Sequence, residues 1–426
     1  MWKQYIKQAL FQLKENRLVS VICIAGTALA ICMIMVIVLV LQVRMKDSVP
    51  ETNRSRSLYV KTMSVRQKGE KGSYSANSGM SVTTARECFK SLTVPEAVTV
   101  VSMNIKMRAS VPGGAKMSVD GMETDDAFWK VFSFHFLSGK PYMKADFDSG
   151  LPKAVIAESV ARRLFGTVDA SGRTIQINKV DYTITGVVKD VSKLATASYA
   201  QAWVTYTSTD IASMSWADDI MGVMRAVILA RSADDFPAIR AEAERFRQAY
   251  NSKQKDLEVF YRGQPDTHFA YLYRHWGENL SLNRIIVRFV AVILILLIVP
   301  AINLSSMTLS RMRTRIEEIG VRKAFGATSN ELLRQIFCEN LILTLLAGVL
   351  GLLLSYLAVF LLKSFLFSNS ENIALSGHSS LSADMLLSPL TFFAAFCFCL
   401  LLNLLSAGIP AWRVSGKNIV DAINQR

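Results

Sequence analysis

The stretch RMRTRIEEIGVRKAFGATSNELLRQIFCE, residues 311–339, lies between two long apolar runs and is the clearest guide to the architecture. It is basic, and its apolar residues recur at roughly helical spacing. A short basic loop beside membrane spans is normally cytoplasmic. The stretch therefore predicts a polar segment that joins two membrane spans and either lies along the membrane or docks into a partner.

Several residues in this stretch fall at a spacing that is specific to one family. They are Ile319-Gly320, Arg322-Lys323, Gly326-Ala327 and Glu339. With them the stretch closely resembles the cytoplasmic coupling segment of MacB-like and FtsX-like ABC transporter permeases. The resemblance implies a helix that sits in a groove of the ATPase subunit. The alternative is a generic basic helix on the membrane surface.

The resemblance also implies roles within the segment. Val321 and Phe325 would insert their apolar side chains into the ATPase groove. The charged side chains of Glu318, Arg322 and Lys323 would contact the rim of the groove. Gly320 and Gly326 would allow close backbone approach or a break in the helix. Glu317 completes the predicted coupling set. For each charged residue the alternative is a solvated or lipid-facing position.

Apolar residues make up 51% of the chain and charged residues 19%, and the apolar residues are concentrated in a few runs. This composition predicts a membrane protein with a soluble part. The net charge of +14 could indicate nucleic-acid binding. Much of the cationic excess lies beside apolar runs, however, where anionic lipid headgroups are its natural counterpart. We therefore expect contact with a lipid bilayer and none with nucleic acid.

Four apolar runs are each long enough to cross a bilayer, which requires roughly 20 residues. Lys and Arg are frequent before the first run, between the second and third, and after the fourth. The positive-inside rule then places both termini in the cytoplasm and the large polar region outside it. The predicted boundaries are a cytoplasmic amphipathic helix at 1–17; membrane spans at 18–43, 284–309, 336–366 and 388–411; an extracytoplasmic domain at 44–283; the coupling segment at 310–335; an outer loop at 367–387; and a cytoplasmic tail at 412–426.

The region 44–283 alternates short β-rich runs with turn signals and amphipathic helices. We predict strands over 58–65 and 97–111, and a mobile loop over 64–79. We predict helices over 158–165 and 234–250.

A series of motifs within this region carries a second resemblance. It runs from FWKVF at 128–132 through FLSGKP at 136–141 and AVIAES at 154–159 to YTITGVVKD at 182–190. The series is similar to the extracytoplasmic core domain of MacB-like permeases, which implies one subdomain built from both ends of the segment and a second inserted between them. The predicted fold class is membrane α-helical, with four transmembrane helices, plus an α+β extracytoplasmic domain of two subdomains.

Small residues recur at four-residue spacing in two of the apolar runs, which permits close helix packing. They are Gly26 and Ala30 in the first run and Ala347, Gly351 and Ser355 in the third. The resemblance implies two permease halves, either a homodimer or a pair with a sister permease, and we assign these residues to dimer packing. The alternative is that small residues such as Gly26 and Ala30 face lipid.

Residues that could carry catalysis or hold a metal form no convincing group. The stretch GTVDASGRT, residues 166–174, has the wrong glycine spacing for a phosphate loop, and Arg173 replaces the required Lys. Only Cys88 lies in the large polar region, so no internal disulfide is expected there. His268 and His275 are a weak metal candidate. We predict no catalytic or metal-binding residues, and ATP and Mg would be bound by a separate cytoplasmic ABC ATPase subunit.

The resemblance implies a mechanism in which ATP-driven closure of the ATPase pushes the coupling segment, tilts the spans and moves the extracytoplasmic domain. Such a permease of the bacterial inner membrane would serve efflux of peptides, drugs or lipid-linked substrates by mechanotransmission. An extracytoplasmic adaptor or substrate protein is a further implied partner. The alternative is an FtsX-like permease that signals to an extracytoplasmic hydrolase or sensor without transport.

Overall fold

The computed structural model describes residues 11, 17–69, 76–275, 279–295, 298, 328–367, 393, 397 and 401. Contacts divide the chain into two units. The helical unit holds residues 1–43, 283–366 and 383–426, and the core unit holds residues 44–282 and 367–382.

Eight helices have defined bounds within the described residues. They are α1 (Arg17–Met45), α2 (Val82–Ala85), α3 (Phe128–Val131), α4 (Lys144–Asp148), α5 (Glu158–Phe165), α6 (Phe236–Lys253), α7 (His268–Tyr273) and α8 (Ser329–Leu366). Residues 282–295 are also helical. Among the described residues, α1 and α8 are long and apolar enough to cross a membrane, through Ser20–Met45 and Leu341–Leu366. The four-span count remains a prediction, because most of 388–411 and half of 284–309 lie outside the described residues.

Fifteen strands in the described part of the core unit form one hydrogen-bonded sheet. They are β1 (Ser57–Val60), β2 (Met63–Gln67), β3 (Ala76–Met80), β4 (Ala97–Ser102), β5 (Ile105–Ser110), β6 (Lys116–Thr124), β7 (Phe136–Gly139), β8 (Lys153–Ala157), β9 (Thr174–Ile177), β10 (Val180–Val188), β11 (Ala202–Thr205), β12 (Met221–Gly222), β13 (Met224–Leu229), β14 (Leu257–Phe260) and β15 (Asp266–Thr267). The main path is β11-β8-β10-β9-β5-β6-β4-β13-β3-β2-β14. The sheet is mixed, because β10 pairs with β8 and β11 with β6 in parallel.

Two hydrophobic clusters underlie this sheet. The first is built almost wholly from residues between Val101 and Val204, and the second from residues 58–100 and 206–261. The middle of the polar region is therefore inserted between two flanking pieces that share a core. Strands β1 and β13 serve both clusters, because alternate residues of a strand face opposite sides. Tyr59 and Val227 lie in the first cluster, whereas Leu58 and Ile228 lie in the second.

The two helices predicted over 158–165 and 234–250 are confirmed. Helix α5 occupies the predicted residues, and Gly166 ends it with a φ of 71°, the left-handed conformation that favours glycine at a helix C-terminus. Helix α6 begins and ends two to three residues later than predicted, with Pro237 in its first turn.

Two strand predictions are corrected by the structure. The predicted strand 58–65 is divided into β1 and β2, because the amides of Lys61 and Thr62 donate to the Gln264 side chain instead of to a strand. The predicted loop 64–79 is wrong at both ends, where β2 pairs with β3 through Met63–Ser78. The predicted strand 97–111 is likewise divided, into β4 and β5.

Candidate functional site where the chain enters and leaves the core unit

The C-terminal end of α1 is held by a single buried arginine. The last carbonyl groups of a helix have no partner within the helix, and a cation near them is stabilising. Arg54, which is 2% exposed, donates from Nη1 to the carbonyl oxygen of Lys46 at 2.8 Å and to that of Arg44 at 3.5 Å. Arg54 therefore satisfies carbonyl groups at the C-terminal end of α1 that lie within the core unit.

A buried carboxylate extends this contact across the first hydrophobic cluster. The Oε2 atom of Glu51 lies 2.7 Å from Nε of Arg54. Its Oε1 atom accepts hydrogen bonds from the backbone amides of Ala197 and Ser198 at 2.9 and 3.1 Å. The Nη2 atom of Arg54 donates to the carbonyl oxygen of Leu194 at 2.8 Å. The pair therefore ties the end of α1 to the segment 194–198, about 140 residues further along the chain.

The chain leaves the core unit beside the place where it enters. Strand β15 pairs with β1 through Tyr59–Asp266 and Leu58–Thr267. At the start of α7, Nε2 of His268 lies 3.0 Å from the carbonyl oxygen of Arg44. A carbonyl oxygen only accepts, so Nε2 carries the proton. Burial lowers the pKa of His268, so the imidazole is neutral at pH 7.

A second buried ion pair fixes the outgoing segment. Nη2 of Arg274 donates to Oδ1 of Asp266 at 2.8 Å, and Nε donates to Oδ2. Nζ of Lys61 donates to the carbonyl oxygen of Arg274 at 3.1 Å. Burial raises the pKa of Asp266, and the Arg274 guanidinium opposes that rise. Of the two histidines considered as a weak metal candidate, His268 instead bonds the carbonyl oxygen of Arg44.

Glu51, Arg54, Asp266, His268 and Arg274 form what we call the junction. Its side chains are buried and bond one another, backbone carbonyl oxygens and the backbone amides of Ala197 and Ser198. Among the described residues, Nδ1 of His268 has no hydrogen-bond partner. Buried charge pairs are costly to break and geometrically specific. The junction can therefore hold residues 44–46, the segment 194–198 and residues 266–274 together within the core unit.

Comparisons with known proteins agree with this architecture. The sequence model of the MacB-like periplasmic core domain matches residues 20–246. The chain belongs to the MacB-like permease family. The model of the FtsX-like permease C-terminal domain matches residues 289–419 of this MacB-like permease. It is accordingly an ABC-type permease subunit with an extracytoplasmic domain.

Curated relatives of this MacB-like permease are distant. The ABC transporter permease YknZ of Bacillus subtilis is 25% identical over 232 residues, which cover 54% of this chain and 55% of YknZ. The macrolide export ATP-binding/permease protein MacB 1 of Yersinia pestis is 25% identical over 331 residues, which cover 75% of this chain and 44% of MacB 1. The chain thus spans about half the length of the curated relatives it matches.

Two solved structures also resemble this chain at low sequence identity. The extracellular domain of the transporter YknZ from Gram-positive bacteria aligns with 47% of this chain and 99% of that domain, at 16% identity and a TM-score of 0.33. The periplasmic region of MacB from Actinobacillus actinomycetemcomitans aligns with 48% of this chain and 90% of that region, at 15% identity and a TM-score of 0.34.

The predicted coupling residues of the MacB-like permease lie outside the described residues. These are Glu317, Glu318, Gly320, Val321, Arg322, Lys323, Phe325 and Gly326.

Immediately after the coupling residues, α8 begins with a capping arrangement. Oε2 of Glu331 accepts from the amide and hydroxyl of Thr328 at 2.9 and 3.0 Å. These bonds lower the pKa of Glu331. The Thr-x-x-Glu signature at 328–331 could have located this helix start from sequence.

The residues assigned to dimer packing have contacts within the chain. A Cβ atom at Gly351 of α8 would lie 2.7 Å from the carbonyl oxygen of Ala28 and 2.9 Å from Cβ of Ile31, both in α1. Ala347 and Ser355, one turn away on either side, are buried. In α1, Ala30 is buried and Gly26 is half-buried. Gly351 is thus needed for the approach of α1 to α8, and the role of the five residues in a dimer stays a prediction.

Sequence reasoning missed Glu51 and Arg54 entirely. They lie in the polar stretch ETNRSR, which carries no recognised motif. The available signal was indirect, because charged residues that closely follow a membrane span lie near the helix C-terminus. Their other partners lie in segment 194–198, which no local pattern connects to them.

Proposed function

We propose that this permease couples ATP hydrolysis by a separate cytoplasmic ATPase to movement of its extracytoplasmic core unit. ATP and Mg²⁺ would be bound by that ATPase, against residues 317–326 of this chain. A second permease copy, identical or a sister chain, would complete the assembly in the bacterial inner membrane. The moving domains would drive efflux of peptides, drugs or lipid-linked substrates, with an extracytoplasmic adaptor or substrate protein as the further partner.

The observation that carries this proposal is the buried pair of Glu51 and Arg54. A flexible tether between α1 and the core unit would dissipate any displacement of the helix. Here the last carbonyl groups of α1 are instead bonded to a guanidinium that also bonds Glu51 and Leu194. Displacement of the helix end would therefore be passed to the segment 194–198 and the strands packed around it.

The relatives support the direction of the proposal. The Yersinia pestis relative is named as a macrolide export ATP-binding/permease protein, and a Pseudomonas aeruginosa relative as a pyoverdine export ATP-binding/permease protein. The match to the FtsX-like permease C-terminal domain favours, as a second candidate, signalling to an extracytoplasmic hydrolase or sensor. Both functions use the same junction, and they differ in what the core unit contacts.

The test is hydrogen exchange of the full chain reconstituted with its ATPase, with and without ATP and vanadate. We expect the nucleotide to change amide exchange in the segment 194–198 of the wild type. In Arg54→Lys, which keeps the charge but loses the planar fork, this change should disappear while ATP hydrolysis continues. Arg245→Lys, an exposed position on α6, is the matched control. A wild-type domain that does not respond to nucleotide, or an Arg54→Lys variant that responds as the control does, would contradict the proposal.

A further inference from the structure

A cationic cavity lies on the exposed face of the β5-β6 hairpin. In this hairpin Arg108 pairs with Ser118, Lys106 with Asp120, and Ser110 with Lys116. Alternate residues of a strand share a face, so these side chains lie on one side of the sheet. Their neighbours Met107, Ala109 and Val119 are buried in the first hydrophobic cluster on the other side.

The cavity has the size of a ligand-binding site. Its volume is about 830 Å³, which is within the usual range for pockets that hold small organic molecules. Four cations line it, namely Lys106, Arg108, Lys116 and Lys179, together with hydrogen-bonding groups such as Ser118 and Asn178.

The positive charge of the cavity is only partly balanced. Lys106 pairs with Asp120, whose other carboxylate oxygen accepts from the Tyr199 hydroxyl at 2.9 Å. At the rim, Gln176 donates to Asp181 at 3.1 Å. Within the part of the chain that the structure describes, the other three cations of the cavity make no ion pair.

The turn between β9 and β10 holds one of these cations in place. Asn178 and Lys179 have φ values of 49° and 73°, the left-handed conformations of a tight hairpin turn. Glycine is the usual second residue of such a turn, so a lysine there adopts an unfavourable backbone conformation. Oδ1 and the backbone amide of Asn178 are bonded to the amide and the carbonyl of Arg108, each at 2.9 Å. The two bonds fix Lys179 beside Arg108.

We propose that this cavity binds an organic anion that carries two or more phosphate charges. A single carboxylate would balance only one of the three uncompensated cations, whereas a polyphosphate group matches all three. Arginine binds phosphate through two parallel hydrogen bonds, and lysine contributes a point charge. The hydroxyl of Ser118 and the amide of Asn178 supply further donors. The site is distinct from the coupling segment, so it stands or falls independently of the ATPase partner.

The probe for the test is inorganic tripolyphosphate, titrated calorimetrically into the full chain in phosphatidylcholine nanodiscs. We expect one saturable site per chain in the wild type. Loss of two charge-assisted contacts in Arg108→Gln/Lys116→Gln should weaken binding at least about tenfold. The control Arg245→Gln/Lys255→Gln removes the same charge from exposed positions in the other subdomain and should bind as the wild type does. Arg108→Lys/Lys116→Arg, which keeps the charge, should retain most of the affinity.

Three results would overturn the proposal. They are the absence of tripolyphosphate binding, equal weakening in the control double variant, and citrate binding as tight as tripolyphosphate. A second titration with dihexanoyl phosphatidic acid distinguishes the source of the phosphate. Tighter binding than tripolyphosphate assigns the site to a lipid headgroup, and weaker binding assigns it to a soluble phosphate-bearing ligand.

Discussion

Arg54 illustrates how much of this molecule depends on single buried charges. The side chains of Arg54 and Glu51 are each 1% exposed. The attraction between two buried charges offsets their desolvation penalty only when the geometry is good and every remaining polar atom is bonded. Here the guanidinium bonds three carbonyl oxygens as well as the carboxylate. Removal of either partner leaves the other as an uncompensated buried charge.

We predict that Arg54→Met lowers the free energy of unfolding of the core unit by about 3–5 kcal/mol, the usual cost of leaving a buried charge without its partner. The exposed control Arg245→Gln should change it by less than about 0.5 kcal/mol. Chemical unfolding of the full chain in detergent, followed by tryptophan fluorescence, measures both. The double variant Glu51→Gln/Arg54→Met should lose less than the sum of the single variants. Equal stability of Arg54→Met and the control would contradict this account.

Glu123 is a buried carboxyl of a different kind. It accepts a hydrogen bond from the Thr209 hydroxyl at 2.6 Å, and among the described residues no Lys or Arg pairs with it. Burial is the main cause that raises its pKa to about 7, and nearby Asp210 adds to the rise. The folded chain therefore binds a proton more tightly than the unfolded chain at this position. Stability from Glu123 is fully present below about pH 4.5 and is lost as the pH rises to about 7.

We predict that Glu123→Gln removes this pH dependence. The wild type should lose about 3 kcal/mol of stability relative to Glu123→Gln as the pH rises from about 4 to about 8. Unfolding of both proteins across this pH range gives the difference directly. Asp256→Asn, which changes an exposed carboxyl, should leave the pH dependence near that of the wild type. A constant difference between wild type and Glu123→Gln would show that Glu123 titrates normally.

At the scale of elements, local pattern was enough for helices α5 and α6 and insufficient for strand β2. Helices α5 and α6 are set by side chains within a few residues of each other, and both were predicted nearly to the residue. Strand β2 lies in a predicted loop, yet it is a strand because it pairs with β3 and with β14, about 190 residues away. The junction was missed for the same reason. Its bonds to the segment 194–198, and the bond between His268 and Arg44, join residues that are close in space and distant in sequence.

The contact between α1 and α8 depends on the absence of a side chain at Gly351. A Cβ there would lie closer to the Ala28 carbonyl oxygen than van der Waals contact allows. We predict that Gly351→Val lowers the stability of the helical unit by about 1–3 kcal/mol, the usual cost of overpacking. Thermal unfolding in detergent measures it. Leu353→Val, at an exposed position on α8, should be close to the wild type. A Gly351→Val variant as stable as Leu353→Val would show that the two helices do not need this close approach.

At the scale of the whole molecule, charge and hydropathy predict one consistent topology. The positive-inside rule predicts that the basic segments lie on one side of the membrane and the large polar region on the other. The structure adds that the carbonyl groups of Arg44 and Lys46, which lie within the core unit, end in a bonded network with Arg54 and His268. A partner that binds residues 311–339 of this chain on the cytoplasmic side would drive the helix.

The most direct test of this account is co-purification of an ATPase with the full chain. We compare the wild type with Gly320→Trp/Phe325→Asp, and use Phe325→Leu as a control that keeps an apolar side chain. The account predicts that ATP hydrolysis and an ATPase subunit travel with the wild type and with Phe325→Leu, and are lost from the double variant. If no ATPase is bound, or if the double variant binds it as well as the wild type does, residues 311–339 are only a membrane-surface segment and the coupling role is wrong.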